Sequence, residues 1–166
     1  MIMPARDMRK AKEASERIEA EVPKARLYLA DLDLAEFDSV REFGEHLRQR
    51  YGTGSLDLLV NNAGIMGLPK RTMNSQGLEL QIATNYFGPF LLTALLFPLM
   101  KEDEGSRIVA VSSTTARSAR LELEPVVTKS ATVGRCLWDE SERVTDRQFV
   151  VSAPSIGIHD RPCVVG

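Results

Sequence analysis

Glycine is missing from the start of this 166-residue chain, and Gly44 is the first one. A glycine-rich turn cradling an anion at a helix N-terminus is therefore excluded upstream of it, because such turns need residues without a Cβ where the backbone meets phosphate. Cysteine is nearly absent too. Cys136 and Cys163 stand 27 residues apart with no ligand pairs beside them, so the spacing points to plain thiols rather than a disulfide framework or a zinc site. Charge of one sign is lacking, with 21 Lys and Arg against 23 Asp and Glu. That balance exerts no pull toward nucleic acid or anionic lipid. Long hydrophobic runs are missing as well. The longest, Tyr86 to Met100, is broken by Gly88, Pro89, Thr93 and Pro98 and reads as a buried helix too short to span a bilayer. Arg6 interrupts the N-terminus before any apolar core of signal-peptide length can form. These absences predict a soluble, cytoplasmic protein with no membrane span and no nucleic-acid partner. The length suits one domain, enough to bury about 68–70% of the unfolded surface.

What is present alternates between helix and strand. Asp7 can cap a helix to about Val22, with Met8, Ala11, Ala14 and Ile18 at helical spacing and Glu13 four residues before Arg17 as an expected ion pair. Pro23 closes it. Arg26 to Ala30 reads as a short strand with Asp31-Leu32-Asp33 at its carboxyl end, and Phe37, Val40, Phe43 and Leu47 mark a second helix from about Leu34 to Tyr51. After Gly52-Thr53-Gly54-Ser55, the run Leu56 to Val60 reads as a buried parallel strand feeding the turn Asn61-Asn62-Ala63-Gly64. A polar loop to Gly77 precedes a nearly all-round apolar helix over 78–101, which Pro89 should kink near residues 85–89. Arg107 to Ser113 reads as another buried strand ending in two hydroxyls. This alternation predicts an α/β fold with a doubly wound parallel sheet. Past Glu124 neither period is sustained, so residues 1–124 are expected to form one domain and 125–166 an irregular tail of unassigned structure.

The ordered series Arg6-Asp7, Asp31-Leu32, Asn61-Asn62-Ala63-Gly64, Leu78 to Gly88 and Ser113 resembles the short-chain dehydrogenase/reductases, in particular the branch of retinol dehydrogenases and the WW-domain oxidoreductase. The resemblance runs from about Met3 to Leu123. It implies a Rossmann-like sheet and an NAD(P)-dependent oxidoreductase acting on an alcohol or carbonyl by hydride transfer. By that resemblance, Arg6 would face the 2′-phosphate of NADP and tilt the preference from NAD to NADP, since guanidinium forks onto phosphate oxygens. Asp31 and Leu32 would flank the adenine. Asn61, Asn62, Ala63 and Gly64 would pass under the adenine-side ribose. Asn85 would be the catalytic asparagine that helps hold a relay water, and Ser113 the serine that bonds the substrate oxygen. The helix over 78–101 would be a dimer surface.

The same resemblance exposes two departures. Met1 already corresponds to the family's second strand, so its first strand and glycine-rich turn have no counterpart; the resemblance looks truncated at both ends. The sheet would then lack its middle strand and leave a slot roughly 9–10 Å wide, two strand spacings, between two halves. Those halves would either close in another order or keep apolar edges exposed. The family's Tyr-x-x-x-Lys is also missing, for Tyr28, Tyr51 and Tyr86 all precede Ser113, and Lys129 is the lone lysine after it. With no phenol for a lysine to tune, the expectation is impaired or absent proton transfer. The alternative is a non-catalytic remnant that self-associates or binds a partner through helix 78–101.

Overall fold

Among the described residues, four short strands form two parallel pairs that share no ladder. The computed structural model describes residues 1–102 and 105–113, so the expected tail at 125–166 lies outside the described residues. In chain order the elements are β1 (Ile2–Ala5), α1 (Met8–Glu21), β2 (Tyr28–Asp31), α2 (Phe37–Tyr51), β3 (Leu58–Asn61), α3 (Leu80–Ile82), α4 (Gly88–Leu96) and β4 (Arg107–Ala110). A π-helical turn, Ala83–Phe87, joins α3 to α4, and a 3-10 turn, Phe97–Leu99, follows α4. β1 pairs with β2 and β3 with β4, both in parallel register. The α/β alternation and parallel pairing agree with the fold read from sequence.

Local chemistry explains the boundaries. The Asp7 side chain accepts from the Lys10 amide at 3.1 Å and starts α1. Gly52 and Gly54, at φ of 73° and 64°, supply the left-handed torsions that stop α2 and turn the chain into β3. On α1 the ion pair joins Arg9 to Glu13 at 2.6 Å, not Glu13 to Arg17. Arg17 instead reaches the Glu13 carbonyl. Both spacings are four residues, and the helix satisfies one carboxylate with one guanidinium.

The core lies between α2 and α4. Phe37, Val40, Phe43 and Leu47 meet Leu91, Leu92, Leu95, Leu96 and Leu99, all buried. The helices approach closely where side chains are smallest. A Cβ on Gly44 would sit 3.1 Å from that of Leu95, and one on Gly88 would sit 2.1 Å from the Leu34 carbonyl oxygen. The π-turn explains how the apolar run passes Pro89. The proline ring removes the N–H that an α-helix would aim at Asn85, and the Gly88 amide bonds back to the Ala83 carbonyl instead. The discontinuity thus begins at Ala83, ahead of the expected 85–89. Helical turns are continuous over Leu80–Leu99, 20 residues with mean hydropathy 1.4, long and apolar enough to cross a membrane although half of that stretch is buried here. This corrects the reading of the apolar run as too short to span.

The strands at 58–61 and 107–110 depart from the expectation of burial. Leu59 packs on the core, but Leu58 and Val60, which point to the opposite face, are 55% and 49% exposed, and all four β4 residues are exposed. A parallel strand is buried only when both faces are covered, and the described residues cover one. Between the two pairs lies a cavity of about 780 Å³ with Ile2 and Pro4 on one wall, Leu58 and Val60 on the other, and Phe43 and Leu96 among its floor residues. The halves stay apart, with apolar edges exposed.

Gly88→Ala is expected to destabilise the fold by about 3 kcal/mol or more, because rigid backbone blocks the added methyl; chemical denaturation of the two proteins measures it. Acid weakens α1. The Lys10 amide, then the Arg9 and Lys10 charges, hold the Asp7 carboxyl below the ordinary aspartate value. The cap therefore stabilises above the ordinary value and is lost as pH falls through the lowered one. Far-ultraviolet circular dichroism should show helix loss below about pH 4, and Asp7→Asn should flatten that slope.

Candidate functional site

The carboxyl ends of β1, β2 and β3 converge on a second cavity of about 230 Å³, lined among others by Arg6, Leu32, Asp33 and the turn from Asn61 to Gly64. Side chains and backbone beyond the carboxyl ends of parallel strands are where an open α/β sheet holds ligands. Most residues expected to bind cofactor meet here. Arg6 extends from the end of β1 with its side chain 63% exposed, and one guanidinium nitrogen lies 3.9 Å from Asp33. An exposed pair at that distance contributes little to stability, so the guanidinium is held loosely. Leu32 is buried under the cavity and continues the ladder, its amide donating to the Ala5 carbonyl at 3.2 Å.

Asp31 lies elsewhere. It is exposed and lines a different cavity, with Tyr28, Ser39 and His46. The carboxylate that enters the candidate site is Asp33. One of its oxygens accepts the Ala35 amide at 2.9 Å, and its own amide donates to the Ser39 hydroxyl at 2.9 Å. This Asx turn bends the chain after the ladder ends at Leu32 and swings the Asp33 carboxylate over the carboxyl edge. The resemblance pointed to Asp31 in Asp31-Leu32-Asp33; the place where the ladder stops brings Asp33 to the cavity and leaves Asp31 outside it.

In the turn at Asn61, the side-chain amide donates to the Thr93 hydroxyl of α4 at 2.9 Å, so Asn61 fastens β3 to the helix. Asn62, Ala63 and Gly64 stay exposed and leave their backbone open to the cavity. Asn85 sits in the π-turn. Its oxygen accepts the Ile65 amide and its nitrogen donates to the Ile65 carbonyl, both at 2.8 Å. A single side chain thereby clamps the residue after Gly64, in the manner of a paired strand. The structure thus ties Asn85 to the end of the Asn61–Gly64 turn. Ser113, beyond the end of β4, is exposed and lines neither this cavity nor the slot.

Sequence reasoning passed over Asn74. This buried side chain donates to the Ala35 carbonyl at 2.7 Å and to Gln76, and its oxygen accepts the amides of Gln76 and Leu78. All four bonding positions of the amide are used. Asn74 pins the polar loop to the entrance of α2, and Ser75 reinforces it by bonding to Glu36. Asn-Ser-Gln-Gly was legible as a turn signal but not as an anchor 39 residues from its partner.

The geometry can hold a nucleoside with an anionic substituent. A guanidinium suits phosphate, a half-buried carboxylate can accept from an amine or hydroxyl, and a small-residue turn leaves room for a sugar. At about 230 Å³ the cavity is below the roughly 300–1,000 Å³ of drug-sized sites. The helix that follows Arg6, α1, is already capped by the Asp7 carboxylate. Among the described residues no glycine-rich turn opens on the cavity.

The family model of the short chain dehydrogenases matches residues 1–125. Mouse retinol dehydrogenase 14 is 37% identical over 134 residues, which cover 75% of this chain and 39% of the relative. A probable oxidoreductase of Streptomyces lividans is 44% identical over 88 residues, covering 53% of this chain and 28% of its own length. A crystal structure from Mycobacterium paratuberculosis superposes with a TM-score of 0.61 at 35% identity, covering 75% of this chain and 41% of that one. A metagenomic short-chain oxidoreductase in complex with NADP gives a TM-score of 0.56 at 25% identity, covering 82% and 66%. The chain spans between 33% and 39% of the length of the retinol dehydrogenases 13 and 14 of mouse and human retinol dehydrogenase 13.

Removing the Asn85 amide tests the clamp. In Asn85→Ala the Ile65 amide is expected to exchange roughly two- to tenfold faster, the worth of one net hydrogen bond. In Asn85→Asp the acceptor survives and exchange should rise less. Hydrogen exchange resolved to single residues separates the two.

Proposed function

The chain belongs to the short-chain dehydrogenase family of NAD(P)-dependent oxidoreductases, and from that premise we propose that it binds the adenosine end of NADP while hydride transfer is impaired. The observation that carries the reading is the cavity where Arg6, Asp33 and the Asn61–Gly64 turn meet at the carboxyl ends of three strands. Arg6 supplies the permanent charge for a 2′-phosphate, which favours NADP over NAD. Asp33 accepts from the exocyclic amine of adenine, the role that the resemblance attached to Asp31. Leu32 forms the apolar floor. Asn62, Ala63 and Gly64 let backbone approach the ribose, and Asn61 and Asn85 hold that turn in place. When bound, the cofactor supplies the hydride chemistry; the chain's own residues bind and orient its adenosine end.

Impairment rests on residue inventory. A reduced carbonyl must gain a proton, and the family draws it from a phenol beside a lysine. No tyrosine follows Tyr86 in this sequence, and Ser113 without that partner positions an oxygen but moves no proton at neutral pH. The substrate class, an alcohol or carbonyl, is carried by the family.

The alternative, self-association through helix 78–101 as a homodimer, has weaker support. Leu91, Leu92, Leu95, Leu96 and Leu99 are buried against α2, so most of that apolar surface is already used inside one chain. That packing also favours a core helix over a membrane span, in keeping with a cytoplasmic protein.

Titrating the whole chain with NADPH and NADH by cofactor fluorescence tests the binding. NADPH should bind about tenfold more tightly, the low end of a charge-assisted bond at an exposed site, and Arg6→Ala should erase the difference. Equal affinities in the unaltered chain would overturn the assignment of Arg6. With aldehydes and ketones added, NADPH should not be consumed; turnover that disappears in Ser113→Ala would overturn the impairment.

A further inference from the structure

The three tyrosines of the chain, Tyr28, Tyr51 and Tyr86, stand in three different surroundings. Tyr28 opens β2 and turns its ring toward α2, where the imidazole of His46 lies within 5° of parallel, the ring centres 6.1 Å apart. The Tyr28 hydroxyl and His46 Nε2 are 2.7 Å apart. In the tautomer that carries its proton on Nδ1, the imidazole accepts from the phenol, and a base within hydrogen-bond reach can take the proton outright. Tyr51, at the end of α2, has a cation instead: its hydroxyl accepts from Arg50 Nε at 3.2 Å. Tyr86, in the π-turn, meets Phe87 edge-on, and its hydroxyl has no hydrogen-bond partner among the described residues. Only Tyr28 is bonded to a base.

The charges around this pair favour moving a proton and oppose removing an electron alone. The Arg50 guanidinium lies over the Tyr28 ring, 4.4 Å from its centre, and repels a positive charge on the ring itself. On the other side, Tyr28 and His46 line a cavity of about 350 Å³ together with Asp31 and Glu42. Glu42 stands four residues before His46 on α2, so its carboxylate favours an imidazolium there.

We propose that Tyr28 is a site of oxidative modification, nitrated by nitrogen dioxide, a neutral one-electron oxidant. One nitrogen dioxide takes an electron from the phenol and becomes nitrite, while the hydroxyl proton passes to His46 Nε2 and leaves a neutral phenoxyl radical. A second nitrogen dioxide forms a bond to the ring carbon beside the oxygen. That carbon then loses its hydrogen as a proton, the oxygen regains one, and His46 releases its own to water. The sum is one phenol and two nitrogen dioxides giving one 3-nitrotyrosine, one nitrite and one proton. The cavity gives a small neutral oxidant access to the pair, whereas its carboxylates repel an anionic one. Exposure alone ranks the tyrosines the other way, for Tyr86 and Tyr51 are 46% and 39% exposed and Tyr28 is half-buried.

The probe is nitrogen dioxide made by steady radiolysis of a nitrite solution saturated with nitrous oxide, applied to the whole chain. Mass spectrometry of proteolytic fragments then reads each tyrosine separately. In the folded chain Tyr28 should be nitrated roughly threefold or more faster than Tyr51 and Tyr86, a modest part of what a positioned base contributes. In denaturant the three should react alike. His46→Phe keeps a flat ring beside Tyr28 and removes the acceptor, so Tyr28 should fall behind Tyr86 while the other two keep their rates. Faster nitration of Tyr51 or Tyr86 in the unaltered folded chain would overturn the proposal. So would a Tyr28 that keeps its lead in a His46→Phe protein whose circular dichroism matches the unaltered chain. If that variant does not fold, heavy water decides on the unaltered chain. Tyr28 should slow more than Tyr86 there, because its proton moves with its electron, and equal slowing would overturn the assignment.

Discussion

Everything in this structure hangs on the clasp between α2 and α4. Two strand pairs that share no hydrogen-bond ladder are held by one helical core, and that core depends on two missing methyl groups. At Gly88 the helix lies against the Leu34 carbonyl, where a Cβ would come within 2.1 Å, and at Gly44 it meets Leu95. Close approach lets Val40, Leu47, Leu91 and Leu99 be buried almost completely. Both strand pairs are attached to this clasp. β2 runs into α2 through Leu32 to Glu36, and the Ser55 and Leu56 amides bond to the Leu99 carbonyl at the end of the helical run.

The candidate site inherits its geometry from the same clasp. Asn61 reaches Thr93 on α4, and Asn85, in the turn that Pro89 forces on the helix, holds Ile65 at both main-chain atoms. Asn74 ties the other end of the intervening loop to Ala35. Three asparagines, each bonding across a long stretch of chain, place the small-residue turn over the strand ends. None of them needs to touch a ligand to shape the site.

In the proposed reading, binding and chemistry rest on different residues. The groups that suit an adenosine with a 2′-phosphate sit together in one cavity, whereas Ser113 stands apart from them and no phenol follows it. Of the exposed apolar residues on and beside the strands, Val60 borders that cavity, while Leu58, Ile108, Val109 and Val111 do not line it. Surface of this kind on strands with free edges is prone to pairing with other chains.

Much of this was legible beforehand. The helical spacing of Phe37, Val40, Phe43 and Leu47, the cap at Asp7, the strand-to-turn run ending at Asn61 to Gly64 and the interruption at Pro89 are local patterns, set by pleat, helical pitch and missing N–H groups. They determined the α/β class and most of the residues at the cavity. What the tertiary structure alone decided was which of two neighbouring aspartates enters the site, which strands remain uncovered, and what Asn74 and Asn85 bond to. The choice between Asp31 and Asp33 turns on where the β1–β2 ladder ends. The exposure of Leu58 and Val60 turns on a neighbour that the described chain does not supply, for an apolar strand reads the same whether or not something covers it. Local preference is written within a few residues; edges, partners and burial depend on what distant parts of the chain bring alongside.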